Sequence, residues 1–336
     1  MVRTNTRIGP GAGDAAVLRL KESKRALAIK TDGNGRWGFL SPRLGAMHAV
    51  AEAARNVACT GALPIAATNC LNFGNPEKPE VMWQFSEAID GIAEACRALE
   101  TPITGGNVSF YNETLGKPIY PTPVLGVLGL LEDAECALGS AFRNEGDLIL
   151  LLDGSHAKGV APEQKSAGLK AAATGSKEFS SSEYAKTIHG IVGGAPPAID
   201  LGAEKRLIDC LVKLAAERAI LSAHDVSDGG IAVTLVECCF DSNGLSAEAN
   251  LDVQDAPAEA ALFGEGGARA VVSLSPASLA RVGAIAAQYS LKAQPIGTVT
   301  RGEFRIQCKG VTVIRGAVES FRRIWAESLG KAIESA

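Results

Sequence analysis

The sequence predicts two units in tandem, an α+β domain over residues 1–143 and a layered α/β domain over residues 144–336. Three observations carry that reading. An amphipathic helical pattern starting at Pro79 lies between two short apolar runs, residues 65–71 and the run at Ile103, which gives strand–helix–strand. The run Asp147-Leu-Ile-Leu-Leu-Leu-Asp153 follows a boundary near residues 139–146 and has the unbroken apolar character of a strand covered on both faces. Beyond it, short apolar runs alternate with helical periodicity.

Taken in order, the chain opens with Gly9-Pro-Gly-Ala-Gly-Asp14 and then Ala15-Ala-Val-Leu18. Residues 25–30 read as a strand ending at the turn Thr31-Asp-Gly-Asn-Gly35. Residues 44–60 form an Ala-rich helix, stopped by Gly61 and Pro64, and residues 65–71 the next strand. From Pro79, Val81, Phe85, Ile89, Ile92, Cys96 and Leu99 recur at helical steps. A turn at 112–116 leads to a long apolar strand at 122–131, so the first domain lays its helices on one sheet. In the second domain, residues 155–182 are polar and weakly patterned and read as a long exposed loop. A charged amphipathic helix covers 200–219, and His224-Asp-Val-Ser-Asp-Gly-Gly230 opens onto a helix at 231–240. Strands near 270–274, 295–299 and 304–307 alternate with helices at 276–289 and 317–329.

Composition narrows the function. Hydrophobic residues make up 46% of the 336 and aromatics only 5%, a globular chain with an aliphatic core, and 37 glycines point to many tight loops. A net charge of −4 without a basic run excludes a nucleic-acid or anionic-membrane surface, while a small anionic ligand remains allowed. Cysteines 59, 70, 96, 136, 210, 238, 239 and 308 contain no CxxC pair and read as small apolar packing groups, not zinc ligands or disulfides. With no N-terminal hydrophobic segment and no 18-residue apolar run, the chain reads as soluble and cytoplasmic.

No phosphate loop of the GxxxxGK[ST] type, complete GxGxxG, HExxH or Ser-His-Asp signature is present, so any ATP is bound by other means. Two stretches offer them: Ala67-Thr-Asn-Cys-Leu-Asn-Phe-Gly-Asn-Pro76 and Thr101-Pro-Ile-Thr-Gly-Gly-Asn-Val-Ser-Phe-Tyr-Asn112. Each breaks from an apolar run into small amide- and hydroxyl-bearing residues, as a strand end facing a polyanion and its metal requires. Gly106 permits close backbone approach, Asn107 offers a neutral oxygen to a cation, and Ser109 can bond a phosphate or hydroxyl; Asn69 faces them from the other stretch. The same residue types also build ordinary turns. Glu52 and Asn56 share one helix face, either as Mg²⁺ ligands or within a solvated stripe with His48 and Arg55. Asp14, Asp32, Asp225 and Asp228 sit in loops or at strand–helix junctions, each able to serve as cap, turn residue or ligand. His224 is either a general base or a structural hydrogen-bonder, and no catalytic residue is assigned.

Longer motifs carry a family resemblance. Thr31-Asp-Gly-Asn-Gly-Arg36, Ala51-Glu-Ala-Ala-Arg-Asn56, Asn69-Cys-Leu-Asn-Phe-Gly-Asn-Pro-Glu-Lys-Pro-Glu80, Gly105-Gly-Asn-Val-Ser-Phe-Tyr-Asn112, Tyr120-Pro-Thr-Pro123, His189-Gly-Ile-Val-Gly-Gly-Ala-Pro-Pro197 and His224-Asp-Val-Ser-Asp-Gly-Gly230 resemble phosphoribosylformylglycinamidine synthase, the synthetase subunit of the small bacterial type. The resemblance covers only the carboxy-terminal half of that subunit. It implies a PurM-like fold of the AIR synthase superfamily and an ATP-dependent C–N ligase of purine biosynthesis, turning formylglycinamide ribonucleotide, ATP and glutamine-derived ammonia into the amidine, ADP and phosphate. By position it implies ATP contacts at Asn69 and Gly106, Mg²⁺ at Asn107 and substrate at Ser109. Asn69 stands where an aspartate is usual, and Ser180-Ser-Ser-Glu-Tyr184 where a glycine pair is usual. Asp14, Glu52, Asn56 and Asp225 match the metal ligands of a second, pseudo-symmetric nucleotide site.

The family's catalytic histidine and most of its ligands belong to the amino-terminal half, and Met1-Val-Arg-Thr-Asn-Thr6 looks like an internal stretch of the longer subunit. The partners implied are that amino-terminal half, a glutaminase subunit, a small accessory subunit and, alternatively, a second copy pairing through the first domain. A non-catalytic nucleotide-binding structural module is the competing expectation. A self-sufficient superfamily enzyme such as an AIR synthase or a small-molecule kinase is disfavoured by the long synthase-like motifs.

Overall fold

The computed structural model describes residues 5–155, 179–252 and 257–334, so most of the loop expected at 155–182 lies outside the described residues. The first domain contains β1 (Thr6–Ile8), β2 (Ala16–Arg19), β3 (Ala26–Asp32), α1 (Gly35–Leu40), α2 (Pro42–Cys59), β4 (Leu63–Asn72), α3 (Pro79–Ala98), β5 (Ile103–Ser109), the hairpin of β6 (Glu113–Thr114) and β7 (Lys117–Pro118), and β8 (Thr122–Leu131). Its six-stranded sheet has the order β1-β2-β3-β8-β4-β5. Neighbours run antiparallel except β4 and β5, which are parallel because α3 returns the chain between them.

Strand β8 shows why this sheet has two unlike faces. Pro123, Leu125, Val127, Gly129 and Leu131 are buried and alternate with half-buried Val124, Leu128 and Leu130. The buried set meets α2; a Cβ at Gly129 would collide with Val57 of that helix. On the opposite face Ile29 pairs with Leu128, and Leu27 and Leu63 each pair with Leu130. Ile29 and Leu63 stay 45% and 44% exposed, so the face away from α2 is apolar and uncovered. Helix α2 is itself buried nearly all round. Ser41 and Pro42 start it, and Ala46, Ala49, Ala51, Ala53, Ala54 and Ala58 let the sheet, α3 and the second domain approach it from every side.

The second domain adds β9 (Leu148–Asp153), α4 (Glu183–His189), α5 (Leu201–Ala216), β10 (Ser222–Asp225), α6 (Gly230–Phe240), β11 (Leu245–Leu251), α7 (Ala258–Phe263), β12 (Arg269–Leu274), α8 (Leu279–Gln288), β13 (Lys292–Arg301), β14 (Glu303–Cys308), β15 (Val311–Ala317) and α9 (Val318–Glu334). The seven-stranded sheet has the order β10-β12-β9-β13-β11-β14-β15. Leu150, Leu152, Val272 and Leu274 face α5 and α8 and continue into the core around α2. Ile149 and Val271 face the other way, against Ile231, Leu235 and Phe304. The strand expected at 147–153 is therefore covered on both sides, as its apolar run requires.

Several elements were not anticipated. Helix α1 is capped by Asn34, whose Oδ1 accepts from Trp37 N at 3.0 Å, inside a stretch read as a turn. Strand β11, Leu-Ser-Ala-Glu-Ala-Asn-Leu, has weak β formers but pairs with β13 on one side and β14 on the other. Helix α4 is capped by Ser182, whose Oγ accepts from Ala185 N at 3.2 Å; Ser180 and Ser181, which stand where a glycine pair is usual, lie just before the cap. All eight cysteines are free thiols. Among the described residues no helix is long and apolar enough to cross a membrane.

Candidate functional site

A cavity of about 630 Å³ opens where the two domains meet, and Asp14, Glu52, Asn56 and Asp225 all line it. Each arrives from a different element. Asp14 ends the glycine loop before β2, and its Oδ2 accepts from Asp225 N at 2.8 Å. Glu52 and Asn56 stand one turn apart on α2. Asn56 Nδ2 donates to the Glu52 carbonyl at 2.8 Å and to Asp225 Oδ2 at 3.3 Å. Asp225 ends β10, where the buried Arg55 also reaches its Oδ2 at 3.4 Å. Arg55 is fixed behind the cavity by Glu204 at 2.6 Å, with both side chains buried.

Asp32 at the end of β3 and Asp228 before α6 complete an acidic wall. Burial, with Asp32 and Asp225 close by, pushes the Glu52 carboxyl well above its ordinary range. Burial likewise raises Asp32 to about 6, Lys30 only partly offsetting it, and raises Asp225 and Asp228. Asp14 behaves oppositely: burial opposes its charge, but His224 beside it holds the carboxyl low. Burial also opposes the charge on His224, yet Asp14 and Glu237 raise its ring well above the usual imidazole value.

The wall thus concentrates oxygen donors with too little positive charge among them. Both oxygens of Asp14 are engaged, Oδ1 pairing with His224 Nδ1 at 2.7 Å and Oδ2 accepting from Asp225 N. Ligand atoms of Asp14, His224 and Asp225 lie within 4.8 Å of one another. A hard divalent cation taking oxygen ligands fits this donor set.

Asn69, Gly106, Asn107 and Ser109 lie elsewhere, and none lines that cavity. They were expected in loops after strand ends; they are strand residues of β4 and β5. Parallel pairing carries β5 through its two glycines, and as an edge strand it tolerates them. Asn69 is opposite Gly106, and a Cβ at Gly106 would collide with Asn69 Oδ1. Asn107 is opposite Cys70 and Ser109 opposite Asn72, one step out of phase with Asn69, so these two belong to the uncovered face. The four therefore straddle an exposed sheet edge. Asn112 braces its end, donating from Nδ2 to the Ser109 carbonyl at 2.9 Å.

Further cavity-lining residues carried no signal in the sequence: Lys30, Glu237, Phe240, Asp241, Arg322 and Trp325. The last two come from α9, far along the chain, and only the fold brings them to Asp14. His224 has two carboxylate partners, with Glu237 Oε2 at 3.0 Å from Nε2, and acts as a bridge in the wall.

Comparisons with known proteins agree with this two-part architecture. The sequence profile of the AIR synthase related protein N-terminal domain matches residues 12–131, and that of the C-terminal domain matches residues 144–309. The phosphoribosylformylglycinamidine synthase subunit PurL of Moorella thermoacetica is 43% identical over 329 residues, covering 98% of this chain but 42% of the relative. The chain thus spans about two fifths of the length of that curated relative. Among solved structures, T. maritima PurL complexed with FGAR superposes with a TM-score of 0.74 at 20% identity, over 95% of this chain and 49% of that one. T. maritima PurL complexed with ATP gives 0.69 at 21% identity, over 95% and 47%.

Proposed function

The chain belongs to the family of AIR synthase related proteins, and from that premise we propose that it acts as the carboxy-terminal half of an ATP-dependent formylglycinamidine ribonucleotide synthase. The reaction would join ammonia to formylglycinamide ribonucleotide at the cost of ATP. Phosphorylation of the formamide oxygen makes it a good leaving group, which ammonia then displaces. The observation that carries this reading is the paired β4–β5 edge, where Asn69, Gly106, Asn107 and Ser109 come into register on neighbouring strands. Gly106 leaves its backbone open to a phosphate, Asn69 and Asn107 offer neutral amide oxygens, and Ser109 a hydroxyl. Mg²⁺ held with the help of Asn107 would neutralise charge on the transferring phosphate.

These groups lie on an open edge, so the site is proposed to be completed by the amino-terminal half of the synthase, with a glutaminase subunit and a small accessory subunit delivering ammonia. The domain division at residues 143 and 144 belongs to the same proposal, as does action in the cytoplasm.

The cavity favours a second role for the same chain. It collects Asp14, Glu52, Asn56 and Asp225 at one place, and this supports a structural nucleotide site holding Mg²⁺ and a nucleoside diphosphate. The deciding experiment measures ADP formation from Mg-ATP, formylglycinamide ribonucleotide and ammonium chloride, with the chain alone and with an amino-terminal half added. Turnover only in the mixture supports the split ligase. Nucleotide binding without turnover in either supports the structural module alone, and turnover by the isolated chain overturns the requirement for a second half.

A further inference from the structure

The cavity has two ends of different chemistry. Asp14, Glu52 and Asp225 stand at one, and Phe240, Trp325 and Arg322 at the other. Helix α6 connects them, starting two residues beyond Asp228 and ending at Phe240, a span of about 15 Å at ~1.5 Å per residue.

Trp325 and Arg322 belong to α9, which lies beyond residue 309, where the C-terminal domain profile ends. No residue of α9 is buried, yet its middle is tied firmly to the end of α6. Arg322 donates to the Phe240 carbonyl at 2.8 Å and to Asp241 Oδ1 at 2.8 Å. Trp325 Nε1 donates to Glu237 Oε1 at 2.7 Å, and its ring lies 5.7 Å from that of Phe240. The indole N–H is thus satisfied and the ring position fixed, but the side chain stays 56% exposed. A fixed, half-exposed aromatic pair lining the cavity is a stacking surface on which, among the described residues, Trp325 has only the tilted Phe240 as a ring partner. Glu237 also holds His224, which faces Asp14, so one carboxylate braces both ends.

We propose that the Phe240–Trp325 end receives the base of a nucleoside diphosphate whose phosphates and divalent cation occupy the carboxylate end. This rests on the structural nucleotide site proposed above and assigns its base-binding wall to the helix beyond the C-terminal domain profile. Phosphate alone would fill only one end; the aromatic end adds selectivity for a ligand with a planar ring.

The test is calorimetric titration of the full chain, its W325A variant and its W325F variant with Mg-ADP and with Mg-pyrophosphate, which has no base. Base–aromatic stacking sets the expectation: W325A weakens Mg-ADP about tenfold and leaves Mg-pyrophosphate within about twofold. W325F retains most of the ADP affinity, because it keeps a ring while losing the bond to Glu237. Equal ADP affinity in wild type and W325A overturns the proposal, as does equal loss of both ligands. Wild-type protein that takes pyrophosphate but shows no preference for ADP also overturns it, leaving the phosphate end standing. If neither ligand binds the wild type, the nucleotide site itself falls and the base wall with it.

Discussion

Asp32 offers the sharpest quantitative handle on the acidic wall. Its carboxyl is raised to about 6 from an ordinary 3.8, burial being the main cause, so the folded chain prefers it protonated. For such a group stability is full below the unfolded value and is lost as pH rises through the folded one. The penalty, counted at about 1.4 kcal/mol per pK unit, comes to roughly 1–2 kcal/mol at a pH of ~5 and about 3 kcal/mol at ~7.5. Asp32→Asn removes the charge yet keeps an oxygen for Gly33 N, which Asp32 Oδ1 now accepts at 2.7 Å. Urea unfolding in EDTA should therefore show the variant more stable than wild type, with the gain roughly doubling between those two pH values. Added Mg²⁺ should narrow the gap at the higher pH, because the cation supplies the wild-type wall with the charge it lacks. A variant that is less stable than wild type, or equally shifted at both pH values, would refute the claim that ionised Asp32 is held under strain in the apo cavity.

Other consequences are as direct. Gly106→Ala should abolish ATP-dependent turnover in the reconstituted mixture and lower the thermal midpoint, and adding Asn69→Ala should recover only part of the midpoint, because it removes the side-chain clash but leaves the Asn69 carbonyl oxygen 2.7 Å from the new Cβ, and should not recover turnover. Arg55→Leu leaves Glu204 and Asp225 as buried charges without their cation and should cost about 3–5 kcal/mol in urea unfolding. Sedimentation of the chain alone should show a dimer through the open face of the first sheet, and Ile29→Glu with Leu63→Lys should return it to a monomer with an unchanged circular dichroism spectrum.

What the sequence disclosed follows physical lines. Strands β3 and β8 and helix α3 were legible because their burial is periodic, α2 because an Ala-rich run stops at Gly61 and Pro64, and β4 because of its short apolar run; the strand placed at 122–131 is β8. Strand β11 was not, since its order comes from partners on both sides and not from its own residues. The same division runs through the cavity. Glu52 and Asn56 share a helix face at a spacing any reader can count. Asp14 and Asp225 are joined across 211 positions by a hydrogen bond from Asp225 N to the Asp14 carboxylate, and on residue types alone each read as a cap or turn residue before a ligand. Lys30, Glu237 and Trp325 offered nothing to count, because a lining residue is defined by the space it faces.

The two proposed sites differ in how completely this chain builds them, and that difference bears on function more than the resemblance does. A small-molecule site encloses most of its ligand. The domain-junction cavity approaches that condition with walls drawn from both domains of one chain. The β4–β5 set cannot. Asn107 and Ser109 belong to the uncovered face, Asn69 and Gly106 to the other, and the strand between is an edge with its backbone unpaired on one side. A ligand held there would remain largely in water, where phosphoryl transfer competes with hydrolysis and charge stabilisation is weak. The apolar residues sharing that face, Ile29, Leu63, Leu128 and Leu130, suit the cover proposed for it, a second sheet of similar hydrophobic pattern packed at the usual distance of about 10 Å. Covering the apolar face and enclosing the polar edge are then one event, which makes assembly the step that would switch the ligase site on.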